Sequence, residues 1–83
     1  MIKDSREVWA EAWIKEFKKK AVWKVSEIAA IMELHPNTVL YWIKNGELKA
    51  VNITTSPRRP VYRIHRDDLI EFIKNRHSYV VDF

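Results

Sequence analysis

One side of a short predicted helix, residues 36–45, carries several hydrogen-bonding groups and no acidic side chain. At about 100° per residue, that side carries an amide, a hydroxyl, a phenol and an ammonium, with the residues Asn37, Thr38, Tyr41, Lys44 and Asn45. The opposite side is apolar and consists of Val39, Leu40, Trp42 and Ile43. The polar set suits the base edges and phosphates of a DNA major groove. The alternative is an ordinary solvated helix surface, which the same residues would also form.

Two arginines, Arg58 and Arg59, lie between two prolines at the predicted tip of a β-hairpin. The hairpin strands are predicted over residues 48–53 and 61–64, and a change of apolar phase in the first strand predicts a bulge. Arginines at such a tip are placed to contact a phosphate backbone or a minor groove. The alternative is an exposed turn without a partner.

A helix is predicted upstream of these groups, over about residues 5–20, with Asp4 and Glu7 at the spacing of a capping box. Aromatic side chains recur along it at every fourth position: Trp9, Trp13 and Phe17. Opposite charges are spaced for ion pairing in two places, Glu11 with Lys15 and Glu16 with Lys20. We expect the aromatic stripe to pack on the domain's own core. The alternative is that it binds a groove on a partner protein.

Three further segments complete the predicted elements. Residues 25–32 have apolar positions at helical spacing, and Pro36 and Gly46 suit the start and the end of the helix that follows. A last helix begins at Arg66, with two carboxylates in its first turn. Its apolar face consists of Leu69, Phe72 and Ile73. Residues 77–83 are predicted to be an apolar tail that packs on the first helix or pairs with a second copy.

Composition places limits on the fold and the compartment. The chain has 83 residues, of which 47% are hydrophobic, which is enough for one small domain and excludes a disordered tail. It has no cysteine, and its three histidines have no paired spacing, so we expect them to be cap or surface residues rather than metal ligands. No apolar run approaches the roughly 18 residues of a membrane span, and the N-terminus lacks the apolar core of a signal peptide. We therefore expect a soluble, cytoplasmic protein.

Positive charge is concentrated in one part of the chain. The net charge is +4, and residues 35–66 hold six Lys and Arg against Glu47 alone, which gives +5 and leaves −1 for the remainder. Such a concentration favours a polyanion as partner. The serines lack a nucleophile-elbow context, and a single glycine cannot form a phosphate-cradling loop. We therefore expect no enzymatic activity, no cofactor and no small-molecule substrate.

Five segments together resemble the winged helix-turn-helix of the excisionase family, which is related to MerR-type DNA-binding domains: residues 23–29, 34–39, 42–50, 62–64 and 67–73. The resemblance spans about residues 23–76. It implies an α+β, mainly α fold, with a two-stranded β-hairpin as the wing, an extra N-terminal helix in residues 1–22 and a C-terminal helix. The whole chain, 1–83, is then one domain. Two positions depart from the family pattern, which usually has glycine where this chain has Glu33 and Thr or Ser where it has Lys24.

The resemblance also implies a function. Members of that family include excisionases that bend DNA beside an integrase and small transcription regulators, and phage terminase small subunits carry a similar domain. On the family's pattern, the DNA-binding residues are Asn37, Thr38, Tyr41 and Lys44 on the reading helix and Arg58 and Arg59 in the wing.

We therefore predict that double-stranded DNA is the partner, with an integrase or a second copy of the chain as further candidates. The predicted function is that of an excisionase-type architectural factor, which directs recombination in a phage or mobile element. A transcription regulator and a terminase-like DNA-recognition domain are alternatives. From a different class, the chain could be an adaptor that binds a protein through its Trp-rich N-terminal helix.

Overall fold

The computed structural model describes the backbone of residues 5–55 and 58–80 and the side chains of residues 9–55 and 58–75. Within these ranges the chain forms four helices and a three-stranded sheet: α1 (Ser5–Phe17), β1 (Val22–Lys24), α2 (Val25–Ile31), α3 (Pro36–Lys44), β2 (Val51–Asn52), β3 (Tyr62–His65) and α4 (Arg66–Val80). The predicted class, α+β and mainly α, is confirmed. Asp4, half of the predicted capping box before α1, lies outside the described residues.

The sheet has one strand more than the predicted two-stranded hairpin. β3 lies in the centre, and β1 and β2 pair with it on either side, both antiparallel. The additional strand, β1, places Trp23 opposite Ile64, and both side chains are buried. Three residues are too few to show the alternation by which a strand is recognised, and the partner of β1 lies far along the chain. The sequence pattern therefore did not predict β1.

The second strand is shorter than predicted. Leu48 is fully buried but precedes the strand, which begins only at Val51. Val51 and the following Ile53 are exposed. The change of apolar phase therefore marks the boundary between a loop that packs on the core and an exposed strand, and the predicted bulge is wrong.

Helix α1 ends at Phe17 rather than at the predicted Lys20, and the buried side chain of Trp23 holds that end. The indole N–H of Trp23 donates to the carbonyl oxygens of Phe17 at 3.0 Å and of Lys20 at 3.1 Å. The two aromatic rings meet edge to face, with centroids 5.1 Å apart. The last carbonyls of a helix have no partner within the helix, so the indole satisfies groups that would otherwise need water.

A second set of bonds joins the residues after α1 to the start of α4. The backbone N–H of Arg66 donates to the carbonyl of Ala21 at 2.8 Å, and its guanidinium Nη1 donates to the carbonyl of Lys18 at 3.2 Å. Since Arg66 directly follows β3, these bonds connect the N-terminal helix to the central strand of the sheet. The N-terminal helix is thus part of the same folded unit as the rest.

The buried side of α1 is not quite the predicted one, because Ala10 is buried instead of its neighbour Trp9. Ala10 and Phe17 are buried, and Trp13 is half-buried against the same core. Trp9, in contrast, is 60% exposed. The expectation that the helix packs on its own domain is confirmed for Trp13 and Phe17 and is wrong for Trp9.

Helix α4 begins as predicted and extends further. Leu69, Phe72 and Ile73 are buried, as predicted, and Asp67 and Asp68 lie in its first turn. The backbone stays helical through Val80, so α4 includes the first four residues of the predicted tail, and residues 81–83 lie outside the described part of the chain. The packing of this tail on the first helix or on a second copy stays a prediction. The helices that the structure describes include none that is both long enough and apolar enough to span a membrane.

One of the predicted ion pairs of α1 takes a different partner. Glu16 pairs with Lys19 at 2.8 Å, whereas Lys20 contacts Glu27 on α2 and lies 4.5 Å from the centre of the Trp23 ring. Lys20 therefore joins the end of α1 to α2 instead of supporting α1.

Replacing Trp23 by Phe tests the contact at the end of α1. An aromatic ring remains, but it is smaller than the indole and two carbonyls lose their donor, so we expect the free energy of unfolding to fall by at least about 1–3 kcal/mol. Urea denaturation followed by circular dichroism measures this loss. The control is Trp9→Phe on the exposed side of α1, which should change stability by less than about 0.5 kcal/mol. An equal free energy of unfolding for the two variants would show that the hydrogen bonds of the Trp23 indole contribute nothing to stability.

Candidate nucleic-acid interface

Core contacts decide which side of α3 faces outward. Val39 is fully buried, and the Trp42 ring packs on Phe72 of α4 with centroids 4.8 Å apart. Leu40 and Ile43 are partly buried. The apolar side predicted from the sequence is therefore the side that packs on the core.

The opposite side of α3 brings the predicted DNA-binding residues of this helix together. Tyr41 is 60% exposed, Asn37 and Lys44 are exposed, and Thr38 is half-buried. The helix contains no acidic residue. The surface formed by Asn37, Thr38, Tyr41 and Lys44 is called the polar face of α3 below, and it offers hydrogen-bond donors and acceptors and one positive charge.

His35 caps the start of α3 beside this polar face. Its Nδ1 accepts a hydrogen bond from the backbone N–H of Asn37 at 3.1 Å, and Pro36 occupies the first helical position. A ring nitrogen that accepts carries no proton, so the neutral ring carries its proton on Nε2. His65 caps α4 in the same way, accepting from Asp67 at 3.1 Å. The expectation that these histidines are caps is confirmed, but sequence reasoning did not connect His35 with the polar face.

The turn between α2 and α3 depends on a left-handed residue that is not glycine. Glu33 has a φ of 56°. Its N–H donates to the carbonyl of Ala30 at 3.3 Å, and the N–H of Leu34 donates to that of Ala29 at 2.8 Å. This is the Schellman pattern, which ends a helix and reverses the chain. Glu33 therefore adopts the left-handed conformation that glycine would adopt at this position of the family pattern, and the turn sets the angle at which α3 leaves α2.

The end of α3 uses the same pattern with glycine. Gly46 has a φ of 76°, its N–H donates to the carbonyl of Ile43 at 3.1 Å, and the N–H of Glu47 donates to that of Trp42 at 2.9 Å. The predicted cap at Gly46 is confirmed. It turns the chain so that the buried Leu48 follows directly after the helix.

The start of α2 compensates for the lysine at its N-cap. Lys24 has no side-chain acceptor, but its backbone N–H donates to Oε1 of Glu27 at 2.9 Å, while Lys20 contacts Oε2 of the same carboxylate. The hydrogen bond from Lys20 and the backbone bond from Lys24 together lower the pKa of Glu27. Half of a capping box therefore replaces the Thr or Ser expected there. The contact from Lys20 joins the segment after α1 to α2.

The hairpin carries the two remaining predicted residues. The N–H of Ile53 donates to the carbonyl of Val61 at 2.8 Å, and the N–H of Thr54 donates to Oδ1 of Asn52 at 3.0 Å. Beyond these bonds, Arg58 and Arg59 are exposed. The two arginines lie on a different element from the polar face of α3, so the described structure forms two separate groups of candidate residues.

The described residues include no group of three or more His, Cys, Asp or Glu side chains that could hold a metal ion. The candidate chemistry of the site is hydrogen bonding and charge.

A family model described as a helix-turn-helix domain matches residues 24–77, which is more than half of the chain. The chain belongs to the helix-turn-helix domain family. The match includes α2, the turn at Glu33 and α3, so these form the helix-turn-helix, and DNA is the partner of such a domain. Helix α1 lies outside the match. Comparisons with curated proteins and with solved structures gave no match.

Replacing Glu33 by glycine tests the strain in the turn of the helix-turn-helix. A left-handed conformation costs a non-glycine residue about 1–2 kcal/mol, and the greater freedom of glycine in the unfolded chain offsets about 0.4–1 kcal/mol. We therefore expect Glu33→Gly to raise the free energy of unfolding by about 0.5–1 kcal/mol, measured by urea denaturation.

Gly46→Ala is the matched control, because a Cβ at Gly46 would meet no atom within 4 Å. The effect of Gly46→Ala therefore depends on the backbone conformation alone. We expect this substitution to lower the free energy of unfolding by about 1 kcal/mol. If Glu33→Gly instead lowers stability, the Glu33 side chain contributes more than its backbone conformation costs.

Proposed function

We propose that this helix-turn-helix domain is a double-stranded DNA-binding protein that reads a major groove with α3 and contacts the flanking backbone with a winged hairpin. The observation that carries the proposal is the polar face of α3. It is turned away from the core by the buried Val39 and holds no carboxylate that a DNA phosphate would repel. Amide groups such as that of Asn37 can form paired hydrogen bonds with adenine, and Lys44 can contact a phosphate.

Electrostatics supports the same assignment. Residues 35–66 carry a charge of +5, and Lys44, Lys49, Arg58 and Arg59 are all exposed. Positive charge of this kind increases the rate of encounter with DNA and supplies binding that does not depend on sequence. The charge and the polar face of α3 belong to the same part of the chain.

We place the protein in the cytoplasm as an excisionase-type architectural factor of a phage or mobile element, acting without catalysis or a cofactor. The resemblance of five spaced segments to that family supports this more specific role. A footprint on the element's own DNA, combined with an excision assay that contains the element's integrase, tests it. We expect protection beside the recombination site and more excised product when the protein is added. Protection confined to a promoter, with no effect on excision, would favour a transcription regulator.

An adaptor that binds a protein through α1 is the second candidate, and the 60% exposure of Trp9 favours it. Salt-dependent binding of the purified chain to duplex DNA separates the two classes. An adaptor should show no affinity for DNA beyond that of an unrelated protein of the same charge.

Truncating the polar face of α3 should reduce specific binding selectively. We expect Asn37→Ala and Tyr41→Ala each to weaken binding to the cognate duplex by about 1–3 kcal/mol while nearly preserving affinity for random DNA. Fluorescence anisotropy on the two duplexes measures both affinities. Equal losses on cognate and random DNA would contradict the assignment of α3 as the reading helix.

Replacing Arg58 and Arg59 by alanine tests the wing. If both contact phosphates, the slope of log K against log salt should fall by about 1.8, at roughly 0.9 for each phosphate neutralised. If they enter a narrowed minor groove, the loss of affinity should be larger on A·T-rich flanks. The measurement is a salt titration of both proteins on one duplex.

Melting curves are the control for this double variant, because exposed residues at a hairpin tip should contribute little to stability. A folded double variant with an unchanged slope would show that the hairpin tip does not contact DNA.

A further inference from the structure

The strand register places seven side chains on the side of the sheet that faces away from the core. Residues directly opposite each other in antiparallel strands point to the same side, and neighbours along a strand alternate. Trp23 and Ile64 are an opposed pair and are buried, so they define the inner side. The outer sheet face then consists of Val22, Lys24, Val51, Ile53, Val61, Arg63 and His65.

Three apolar residues form a cluster on this face. Val51 lies opposite Arg63, and the bond from Ile53 to Val61 continues the register by one pair. Val51 is 65% exposed, Ile53 55% and Val61 40%. Isolated exposed apolar residues are common. Neighbouring ones on two paired strands, however, form a continuous apolar surface, and its exposure to water is unfavourable.

Positive groups border this cluster. The register places Lys24 opposite Arg63, and Arg63 opposite Val51, so two cations on neighbouring strands border the apolar cluster. His65 lies further along the same face. None of the seven residues of the outer sheet face is acidic. The face therefore combines an apolar surface with positive charge, which complements an apolar surface with negative charge.

Three other occupants fit this surface less well. DNA would pair with Lys24 and Arg63 but leave the aliphatic cluster uncovered, because base stacking needs aromatic side chains. A second copy placed face to face would bring two pairs of cations together. An added strand would need free backbone groups along β2, where the N–H of Thr54 is already bound by the Asn52 side chain.

We propose that the outer sheet face binds an extended segment of a partner protein, in which apolar side chains and carboxylates occupy every second position and therefore lie on the same side. The apolar side chains cover Val51, Ile53 and Val61, and the carboxylates pair with Lys24 and Arg63. This surface does not include the polar face of α3 or the arginines of the hairpin tip. Its test therefore succeeds or fails independently of DNA binding.

The test uses the full chain labelled with ¹⁵N and two synthetic peptides. One has Leu, Val or Glu at every second position with Ser between them, so that its apolar and acidic side chains lie on the same side. The other is identical with Lys in place of every Glu. We expect the Glu peptide to shift the backbone amides of β2 and β3 and to bind at least about tenfold more tightly than the Lys peptide. The double variant Val51→Thr, Ile53→Thr should bind the Glu peptide about tenfold more weakly and keep its melting temperature, because both residues are exposed.

Trp9→Ala is the matched control, since it removes an exposed apolar side chain on another element and should leave peptide binding unchanged. Equal binding of the two peptides, or no amide shifts on β2 and β3, overturns the proposal. Shifts at these amides caused by duplex DNA instead of the peptide would assign the face to DNA and also overturn it. So would self-association, measured by sedimentation, that the double threonine variant abolishes, because the occupant would then be a second copy.

Discussion

The indole N–H of Trp23 is the contact on which the arrangement of the domain depends. A buried indole N–H needs an acceptor, and the end of α1 has carbonyls that lack donors. Because they bond to each other, neither group is buried without a hydrogen-bond partner. Trp23 also lies in the sheet opposite Ile64, on the side that faces the core. One side chain therefore fixes α1 to the sheet. This explains how a helix outside the family match shares a core with the helix-turn-helix.

The position of α3 follows from short-range constraints at both of its ends. The left-handed Glu33 and the cap at His35 determine how the chain enters the helix, and the left-handed Gly46 determines how it leaves. Val39 then fixes the rotation of the helix about its own axis, because it is fully buried. Backbone geometry at both ends of α3, together with the apolar contacts of Val39 and Trp42, turns the polar face away from the core.

The sequence predicted the elements whose signals are local and missed those whose partners are distant. Pro36, Gly46 and the apolar periodicity of α3 act within one or two turns, so the helix, its caps and its exposed side could be predicted. β1 exists because it pairs with β3, which no pattern within three residues can show. The hairpin tip was predicted from composition, but the placement of Arg58 and Arg59 relative to α3 depends on the whole fold.

The error on α1 has a geometric cause. Residues four apart drift by about 40° around a helix, so Trp9 and Phe17 are separated by about 80° and cannot both face the centre of one seam. Ala10 and Phe17, seven apart, differ by only about 20°, and these two are buried. Trp9 was predicted to be buried because tryptophan is large and apolar. Angular spacing alone would have predicted burial of Ala10 instead. Burial along this helix follows angle more closely than side-chain hydrophobicity.

Two outward surfaces share one core, and this has consequences for how they can change. Val39 lies behind the polar face of α3 and Ile64 behind the outer sheet face, and both belong to the same buried cluster. A substitution at either inner position would disturb packing common to both surfaces. Substitutions at outer positions such as Tyr41 and Val51 change one surface alone, because exposed side chains on different elements share few contacts and their effects are close to additive. A domain built in this way can alter what it binds on one side while the other side and the fold stay the same.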